Sequence, residues 1–530
     1  MDKPISRRAL LSSFGTMGMA AMVMSGCGSA DAGSGEGDSK IFRWAQSNAK
    51  VGLDMQRCTS AGAASIADAV CEPLLRYTED LELEPVLLEK IPEWNEDGTV
   101  LQCKLKEGVK FHDGSDLTTA DVKYTFERMM KPATGALSTY LFDSIKGASQ
   151  MLAGEADELE GLEIVDDYNF AFHLEQPYVV FISNLATSYG EIFPHEACET
   201  AGEDWGKGNN LIGTGPYKLV ENDDSTHVTL TAHADWHVDT PYLEGVEVSF
   251  IDDSNTKMMS YVKGDIDACD LSIDLLAQYK DDPAVKDTIE SYMPLGTMFL
   301  TFNMKETAFA DLRVRQAMSL AINRQELVDT VLNGSAQAAS CFINPNIPGF
   351  DEAAQPYEYD PEKARELLKE AGAEGLSITM HTRSGLYNTV AVACQGYFDQ
   401  VGINCEVQLL DNGVWSQEHV SGNLQLYPLS WNTLFPDADM LIYNFFSKEA
   451  ATKKSSFYES DEFNKLVEDA RVELDEAKRA EMYKQADNIL TRQDVACIPL
   501  FYQKSNFVLN PNFDMKVGNL IYHFNDVKAL

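Results

Sequence analysis

The stretch PEWNEDGTVLQCKLKEGVKFHDGSDLTTADVKYTFERMM occupies residues 92–130 and combines a strand, a turn and a helix. Residues 104–111 predict the strand, and residues 112–114 (HDG) predict the turn. Thr118 or Thr119 can cap the helix that follows. Three apolar residues recur in that helix at i, i+4 and i+7 and predict one buried face: Val122, Phe126 and Met129.

The same alternation of strands and helices continues along the chain. Residues 246–250 (VEVSF) alternate with period two, as expected of a half-buried strand. Strands at residues 377–381 and 403–409 flank a helix near 390–400 and predict a βαβ unit. The sequence therefore predicts a mixed α/β protein with more than one lobe.

Both ends of one predicted helix are marked by capping residues. Asp360 is a suitable N-cap, and Pro361 fits the first helical position. Gly372 can take the left-handed conformation that ends a helix. We therefore expect a helix that begins after Asp360 and stops just before Gly372.

Composition limits the classes of function. The chain has 530 residues, with 83 acidic and 42 basic side chains and a net charge of −41. Its length predicts about two to four domains. Such a negative charge repels phosphate backbones and disfavours nucleic-acid binding. The ten cysteines include no C-x-x-C pair, which argues against a structural zinc site.

The N-terminus resembles an export signal. Arg7 and Arg8 precede an uncharged stretch over residues 9–26. The residues before Cys27 resemble a bacterial lipobox, so we expect cleavage after residue 26 and lipidation of Cys27. Residues 27–40 predict a flexible tether. The paired arginines fit a twin-arginine signal, and a general secretory signal stays an alternative.

Enzyme motifs are nearly absent from the sequence. It has no P-loop, no H-E-x-x-H and no G-x-S-x-G motif. Ser47 and Lys50 fit S-x-x-K, but the companion motifs of penicillin-binding proteins are missing. We therefore expect no catalytic residues, no cofactor and no metal site, with a secreted hydrolase as the enzyme alternative.

Four stretches carry a resemblance to a known family: residues 92–130, 213–221 (GTGPYKLVE), 299–334 and 359–372. They are similar to the family-5 extracytoplasmic solute-binding proteins, the peptide- and nickel-type receptors of ABC importers. The resemblance implies a two-lobed, periplasmic-binding-protein-like clamp of the class II type with an additional third domain.

The resemblance also implies an organisation and partners. Domain I would comprise residues 41–74, 210–298 and 495–530, domain II residues 75–209, and domain III residues 299–494. Strands near Phe299 and Ile498 would connect the lobes. A monomeric receptor would take a peptide or small-molecule ligand to an ABC permease and ATPase, while its lipid anchor holds it on the extracytoplasmic face of the membrane.

The ligand site that the resemblance implies lies between the lobes. Peptide-binding members carry an Asp three residues after a strand-end Trp, and this carboxylate takes the α-ammonium of the ligand. Arg383 is the counterpart of an Arg that holds the ligand carboxylate, for which the planar guanidinium is well suited. The residues implied as ligand-binding are Trp431, Asn432, Thr433, Leu434, Arg383, Tyr140, Ser47 and Asn48.

Leu434 departs from the family pattern, because it occupies the position of the ammonium-binding Asp. A buried ammonium without a partner costs several kcal/mol. The ligand either lacks a free α-amine there, or another carboxylate such as Asp437 or Asp439 has taken over. A metal chelate or other non-peptide ligand, and a ligand-sensing receptor, also stay open as alternatives.

Overall fold

The structure, a computed structural model, describes residues 40–47, 52–517, 519 and 521–530. Residues Lys40–Leu530 form one compact unit. The predicted signal peptide, the lipidation site Cys27, the tether up to residue 39 and Asn48 lie outside the described residues.

Strands are numbered in chain order. They are β1 (Ile41–Gln46), β2 (Leu75–Tyr77), β3 (Leu83–Pro85), β4 (Val100–Lys104), β5 (Leu162–Ile164), β6 (Asn169–His173), β7 (Tyr217–Asn222), β8 (His227–Ala232), β9 (Gly245–Phe250), β10 (Ala268–Leu271), β11 (Ile289–Tyr292), β12 (Gly296–Phe302), β13 (Ala336–Ala338), β14 (Ser377–Thr382), β15 (Asn404–Leu409), β16 (Leu426–Asn432), β17 (Cys497–Gln503), β18 (Ser505–Leu509), β19 (Phe513–Asp514) and β20 (Lys528–Ala529).

The α-helices are numbered in the same way. They are α1 (Ala61–Val70), α2 (Thr119–Met130), α3 (Ala148–Leu152), α4 (Phe181–Asn184), α5 (His195–Ala201), α6 (Ser254–Lys263), α7 (Ile273–Tyr279), α8 (Leu312–Ala321), α9 (Arg324–Val331), α10 (Pro361–Glu370), α11 (Leu386–Gln400), α12 (Asn412–Ser421), α13 (Asp439–Phe446), α14 (Lys448–Lys453), α15 (Asp461–Val472) and α16 (Glu476–Asn488).

A seven-stranded sheet contains the start of the described chain and strands close to its end. Its order is β11-β18-β10-β1-β9-β8-β7. The central strand β1 pairs in parallel with both β9 and β10. Phe42 and Trp44 on β1 are almost fully buried, as expected for a strand with neighbours on both sides.

A six-stranded sheet has the order β13-β17-β12-β16-β14-β15. Strands β14 and β15 are parallel and are joined by α11, which confirms the predicted βαβ unit. Strand β16 is also parallel to β14. The carboxyl ends of β14, β15 and β16 therefore lie at one edge of this sheet, where ligands bind in open α/β sheets.

A smaller three-stranded sheet, β4-β6-β5, packs against α2 in a separate hydrophobic cluster. The predicted cap of α2 is confirmed, since Asp121 accepts the backbone N–H of Thr118 at 2.9 Å. The predicted strand at residues 104–111 is wrong. The strand ends at Lys104, which pairs with Asn169 at the start of β6, and the chain then turns at Gly108, whose φ is +81°.

We call the part built on the seven- and three-stranded sheets lobe 1, and the part built on the six-stranded sheet lobe 2. The chain crosses between them after β11 and after β17, through residues 293–295 and Lys504. Strands β12 and β17 lie side by side within lobe 2. The predicted boundary between residues 298 and 299 falls inside β12, and the domain ranges stay a prediction.

Three general features bear on function. The nine cysteines from Cys58 to Cys497 are buried and form no disulfide with one another. Among the helices of the described ranges, none is both long and apolar enough to span a bilayer. No group of three or more His, Cys, Asp or Glu side chains in the same residues could hold a metal ion.

Candidate functional site

The loop that follows β16 in lobe 2 reaches into lobe 1. Phe435 is only 1% exposed and belongs to the hydrophobic cluster of the three-stranded sheet. Its ring stacks on Tyr77 of lobe 1, with ring centroids 6.3 Å apart. This loop therefore joins the two lobes at the carboxyl edge of the six-stranded sheet.

Polar contacts fix the backbone of the same loop. The Thr433 N–H donates to the carbonyl of Leu295 at 2.8 Å, where the chain enters β12. Asn519 of lobe 1 donates through Nδ2 to the carbonyls of Thr433 and Leu434, at 3.2 and 2.8 Å. The structure therefore places the predicted residues Thr433 and Leu434 at the boundary between the lobes.

A cavity of about 120 Å³ lies between the lobes beside this loop, and we call it the interlobe cavity. That volume can hold several water molecules or one small functional group. Lobe 2 contributes Leu434, Phe435 and Pro436 to its wall. The charged side chains in the wall all come from lobe 1 and are Asp68, Arg76 and His523.

Asp437 and Asp439 form ion pairs and hydrogen bonds inside lobe 2. Asp437 receives two hydrogen bonds of 2.7 Å from the guanidinium of Arg479. Asp439 is fully buried, accepts from Tyr483 at 2.8 Å and pairs with Arg471 at 3.2 Å. Burial raises the pKa of Asp439. Neither carboxylate is available to a ligand ammonium in this arrangement.

Three basic side chains gather near the carboxyl ends of β14 and β16, and we call them the lobe-2 cation cluster: Arg383, His419 and Lys454. The Arg383 guanidinium lies over the rings of Tyr387 and Trp415, at 4.1 and 4.6 Å from their centroids. The Lys454 ammonium lies 4.7 Å from the centroid of Trp431. Aromatic faces attract cations in this geometry.

A continuous series of contacts connects Arg383 with Trp431. The Trp415 ring stacks on His419 at 4.8 Å, and His419 meets the Tyr427 ring at 5.2 Å. The Tyr427 hydroxyl donates to the carbonyl of Lys454. The structure thus brings together two predicted site residues that are far apart in the sequence.

The lobe-2 cation cluster has spare hydrogen-bonding capacity. The Nε of Arg383, Nε1 of Trp415 and Nε2 of His419 are buried with no hydrogen-bond partner within the described ranges. Burial and the nearby Lys454 lower the pKa of His419 to about 4, so its imidazole is neutral at pH 7 and the cations of the cluster are Arg383 and Lys454. Burial and Lys453 lower the pKa of Lys454.

No carboxylate forms an ion pair with Arg383 or Lys454 within the described parts of the chain. A partly buried cation without a counter-charge costs free energy, because it has lost water and gained no ion pair. The arrangement can therefore bind an anionic group such as a carboxylate. Sequence reasoning missed Lys454, His419 and Trp415, because no local pattern marks them.

The other predicted site residues take different places. Tyr140 is 52% exposed in lobe 1 and lies near Tyr189, which lines the interlobe cavity. Asn432 is exposed at the end of β16. Ser47 is exposed directly after β1 in lobe 1, and within the described residues it forms no contact with the lobe-2 cation cluster. A further cavity of about 470 Å³, lined by Gln46 among others, lies within lobe 1 alone.

The fold and site define a class of protein, a two-lobed binding protein with its candidate site at the junction of the lobes. The family described as bacterial extracellular solute-binding proteins, family 5 Middle, matches residues 82–453. The chain belongs to this family and has the receptor role of a substrate-binding protein. The resemblance inferred from the sequence motifs and the two-lobed α/β fold are confirmed.

Two curated proteins and one solved structure illustrate the similarity. The dipeptide-binding protein of Escherichia coli strain K12 is 26% identical over 439 residues, which cover 79% of this chain and 80% of the relative. The glutathione-binding protein GsiB of Salmonella typhimurium strain LT2 is 26% identical over 469 residues, covering 85% and 87%. These relatives are binding proteins, which confirms the prediction that the chain is not an enzyme.

The structural match has the same architecture. The periplasmic binding protein DppA from Helicobacter pylori, in complex with the peptide STSA, superposes with a TM-score of 0.75 at 24% identity. The match covers 92% of this chain and 98% of DppA. It supports the two-lobed clamp as the fold of nearly the whole chain.

Proposed function

We propose that this chain is the receptor of an ABC importer, and that it captures a peptide or peptide-sized solute between its lobes. The captured ligand is then handed to a permease and ATPase in the membrane. The names of two relatives, a dipeptide-binding protein and a glutathione-binding protein, support this ligand class. Both named ligands carry carboxylates.

The observation that carries the proposal is the lobe-2 cation cluster. In a protein with 83 acidic side chains, Arg383 and Lys454 have aromatic rings beside them instead of a carboxylate. A ligand carboxylate can take two parallel hydrogen bonds from a guanidinium. We therefore assign the carboxylate of the ligand to Arg383, with Lys454 adding positive charge and Trp415 and Trp431 forming the walls.

Leu434 bears on the other end of the ligand. It offers an apolar wall where the family pattern has a carboxylate, so the ligand ammonium is not held at this position. A ligand without an amine, including a metal chelate, is the second candidate that Leu434 favours.

Export and anchoring complete the proposal. Cleavage before Cys27, after a twin-arginine or general secretory signal, would leave a lipid-modified cysteine at the new N-terminus. Residues 28–40 (GSADAGSGEGDSK) are small and polar and suit a tether between lipid and receptor. The family is extracellular, which agrees with an anchor on the outer face of the cell membrane.

The test is calorimetry with a library of synthetic di- to pentapeptides. Replacing Arg383 by Ala should weaken binding of a peptide by about 2–5 kcal/mol if the ion pair is desolvated. Arg383→Lys should restore part of the loss, because it keeps the charge without the planar fork.

Arg365→Ala is the matched control, since Arg365 is exposed on α10 of the same lobe and only contacts the carbonyl of Gln400. It should leave affinity unchanged. If Arg383→Ala binds the same peptides as tightly as the wild type, Arg383 does not hold the carboxylate. If no library member binds to the folded wild type, the peptide class is wrong.

A further inference from the structure

The charged side chains that line the interlobe cavity are Asp68, Arg76 and His523, and together with Glu84 and Asp526, the ion-pair partners of Arg76, they form a group that is acidic in sum. Arg76 is neutralised twice, by Glu84 and by Asp526, the latter at 3.2 Å. Asp68 forms one ion pair within the described residues, with His523, whose Nδ1 lies 2.8 Å from Oδ2 of Asp68, and its charge also helps to raise the pKa of Arg76. With His523 neutral, the negative charges of this group exceed the positive charges by two, and with His523 protonated by one.

The Asp68 side chain has capacity for another partner. It is only 7% exposed and lines the cavity. Its Oδ1 accepts no hydrogen bond from the described residues, and Oδ2 contacts only His523. A buried carboxylate with a free oxygen at a cavity wall favours a cationic group inside that cavity.

Behind Asp68 lies a second unusual group, Glu191. It is fully buried, and both of its carboxyl oxygens have no hydrogen-bond partner within the described ranges. Burial, together with the charges of Asp68 and Asp54, raises the pKa of Glu191 well above 4.5. Glu191 is an acid and cannot balance the charge of Asp68, so the basic groups near Asp68 are His523 and Arg76, and Arg76 is already paired with Glu84 and Asp526.

We propose that the interlobe cavity receives an ammonium group of the ligand, that Asp68 of lobe 1 is its anchor, and that the ammonium displaces the imidazolium of His523 from this carboxylate. The inference rests on the proposed function, because it concerns the second end of the same peptide-like ligand. The carboxylate would be bound by lobe 2 and the ammonium by lobe 1. Each lobe would then hold one end of the ligand.

Displacement has a consequence for protons. Burial lowers the pKa of His523, but the charge and hydrogen bond of Asp68, with the charge of Asp526, raise it above 6.5 overall. The other charged group that faces His523 is Arg76, which opposes this rise. When an ammonium takes over Asp68, His523 loses this support, and its proton passes to the buffer.

The first experiment compares free and N-acetylated forms of each peptide in a synthetic tri- and tetrapeptide library. Wild type should bind free peptides at least tenfold more tightly, and Asp68→Asn should abolish that preference. Asp437→Asn is the matched control and should keep it, because Asp437 is held by Arg479. Circular dichroism establishes that each variant is folded.

The second experiment needs no variant. Calorimetry of wild type at about pH 6, in two buffers with different ionisation enthalpies, should show proton release with free peptides. At this pH an α-ammonium is fully charged, since its pKa is about 7.7–8.0. The N-acetylated peptides should release none.

The outcomes separate this inference from the proposed function. If Asp68→Asn keeps the preference for free peptides, or if wild type shows neither preference nor proton release, Asp68 is not the anchor. Binding that still depends on Arg383 in that case leaves the proposed function intact. If no peptide binds, both the proposed peptide ligand and the proposed role of Asp68 as anchor are wrong.

Discussion

Some charged side chains in this protein have no oppositely charged partner within the described part of the fold. Among the residues that the structure describes, Arg383 and Lys454 in lobe 2 have aromatic neighbours and no acidic ion-pair partner, although the chain has nearly twice as many acidic as basic residues. The largely buried guanidinium of Arg479, by contrast, is paired with the carboxylate of Asp437. This contrast is the reason for proposing the lobe-2 cation cluster as the place of a ligand anion.

His523 gives a pH-dependent prediction for the ligand-free protein. Its pKa is raised above 6.5 in the folded state, so its ion pair with Asp68 stabilises the fold fully below about 6.5. That contribution is lost as the pH rises through the raised pKa. A charged hydrogen bond contributes roughly 1.5–3 kcal/mol, so His523→Gln should reduce unfolding free energy by about that much near pH 6.

Urea unfolding at about pH 6 and about pH 9 measures this difference. The difference in unfolding free energy between the wild type and His523→Gln should be smaller at the higher pH. His227→Gln is the control, because His227 is a partly exposed surface histidine, and its effect should be small at both values. An equal deficit of His523→Gln at both pH values would show that the ion pair does not depend on the imidazolium charge.

At the scale of the elements, the loop between β16 and α13 makes contacts with both lobes. It packs Phe435 against lobe 1 and holds Asp437 against Arg479 of α16. Breaking a buried ion pair by removing one partner costs about 3–5 kcal/mol, because the other charge stays buried. We expect Asp437→Asn to lower the free energy of unfolding by somewhat less, about 2–4 kcal/mol, because Asn still accepts one hydrogen bond.

Denaturant unfolding of Asp437→Asn measures this loss, with Asp475→Asn as the comparison. Asp475 is a partly exposed N-cap of α16, so its loss should cost about 0.5–2 kcal/mol. Equal losses for the two variants would mean that the Asp437–Arg479 pair contributes no more than a cap.

Local elements could be predicted from the sequence where short-range chemistry decides them. Asp360 caps α10 as expected and accepts the N–H of Lys363 at 2.9 Å, and Gly372 takes a left-handed φ of +68°. The strand at residues 104–111 could not be placed correctly, since its apolar residues pack without a continuous ladder. Its pairing depends on contacts distant in sequence.

The candidate site was predictable only in part. Arg383 and Leu434 follow the ends of β14 and β16, and Trp431 is the second-last residue of β16, places that a family pattern can mark. Asp68 and His523 are 455 residues apart and meet only because the C-terminal segment returns to lobe 1. No periodicity or spacing can reveal such a pair.

At the scale of the whole molecule, the two lobes are joined by short crossings at residues 293–295 and Lys504. A few residues between rigid sheets can absorb the rotation of a hinge. The proposed ligand touches Arg383 in lobe 2 and Asp68 in lobe 1, so it would contact both sites together only in the closed arrangement. Ligand binding should therefore favour closure.

The proposed membrane anchor also concerns the whole molecule. Wild type should fractionate with membranes, and Cys27→Ala should be released or left unprocessed, because only the cysteine can receive the lipid. Fractionation of cells that express either form, with an antibody against the receptor, measures the distribution. If both forms are recovered as the same soluble mature protein, lipid anchoring is wrong.

Closure on a ligand between the lobes is the central claim, and small-angle X-ray scattering of the receptor with and without a saturating peptide tests it most directly. The peptide is first verified by calorimetry, and at 100-fold excess over Kd it should stabilise the fold by about 2.7 kcal/mol. We predict a smaller radius of gyration in the complex than in the free receptor. An unchanged scattering curve with the verified, saturating peptide would contradict the clamp.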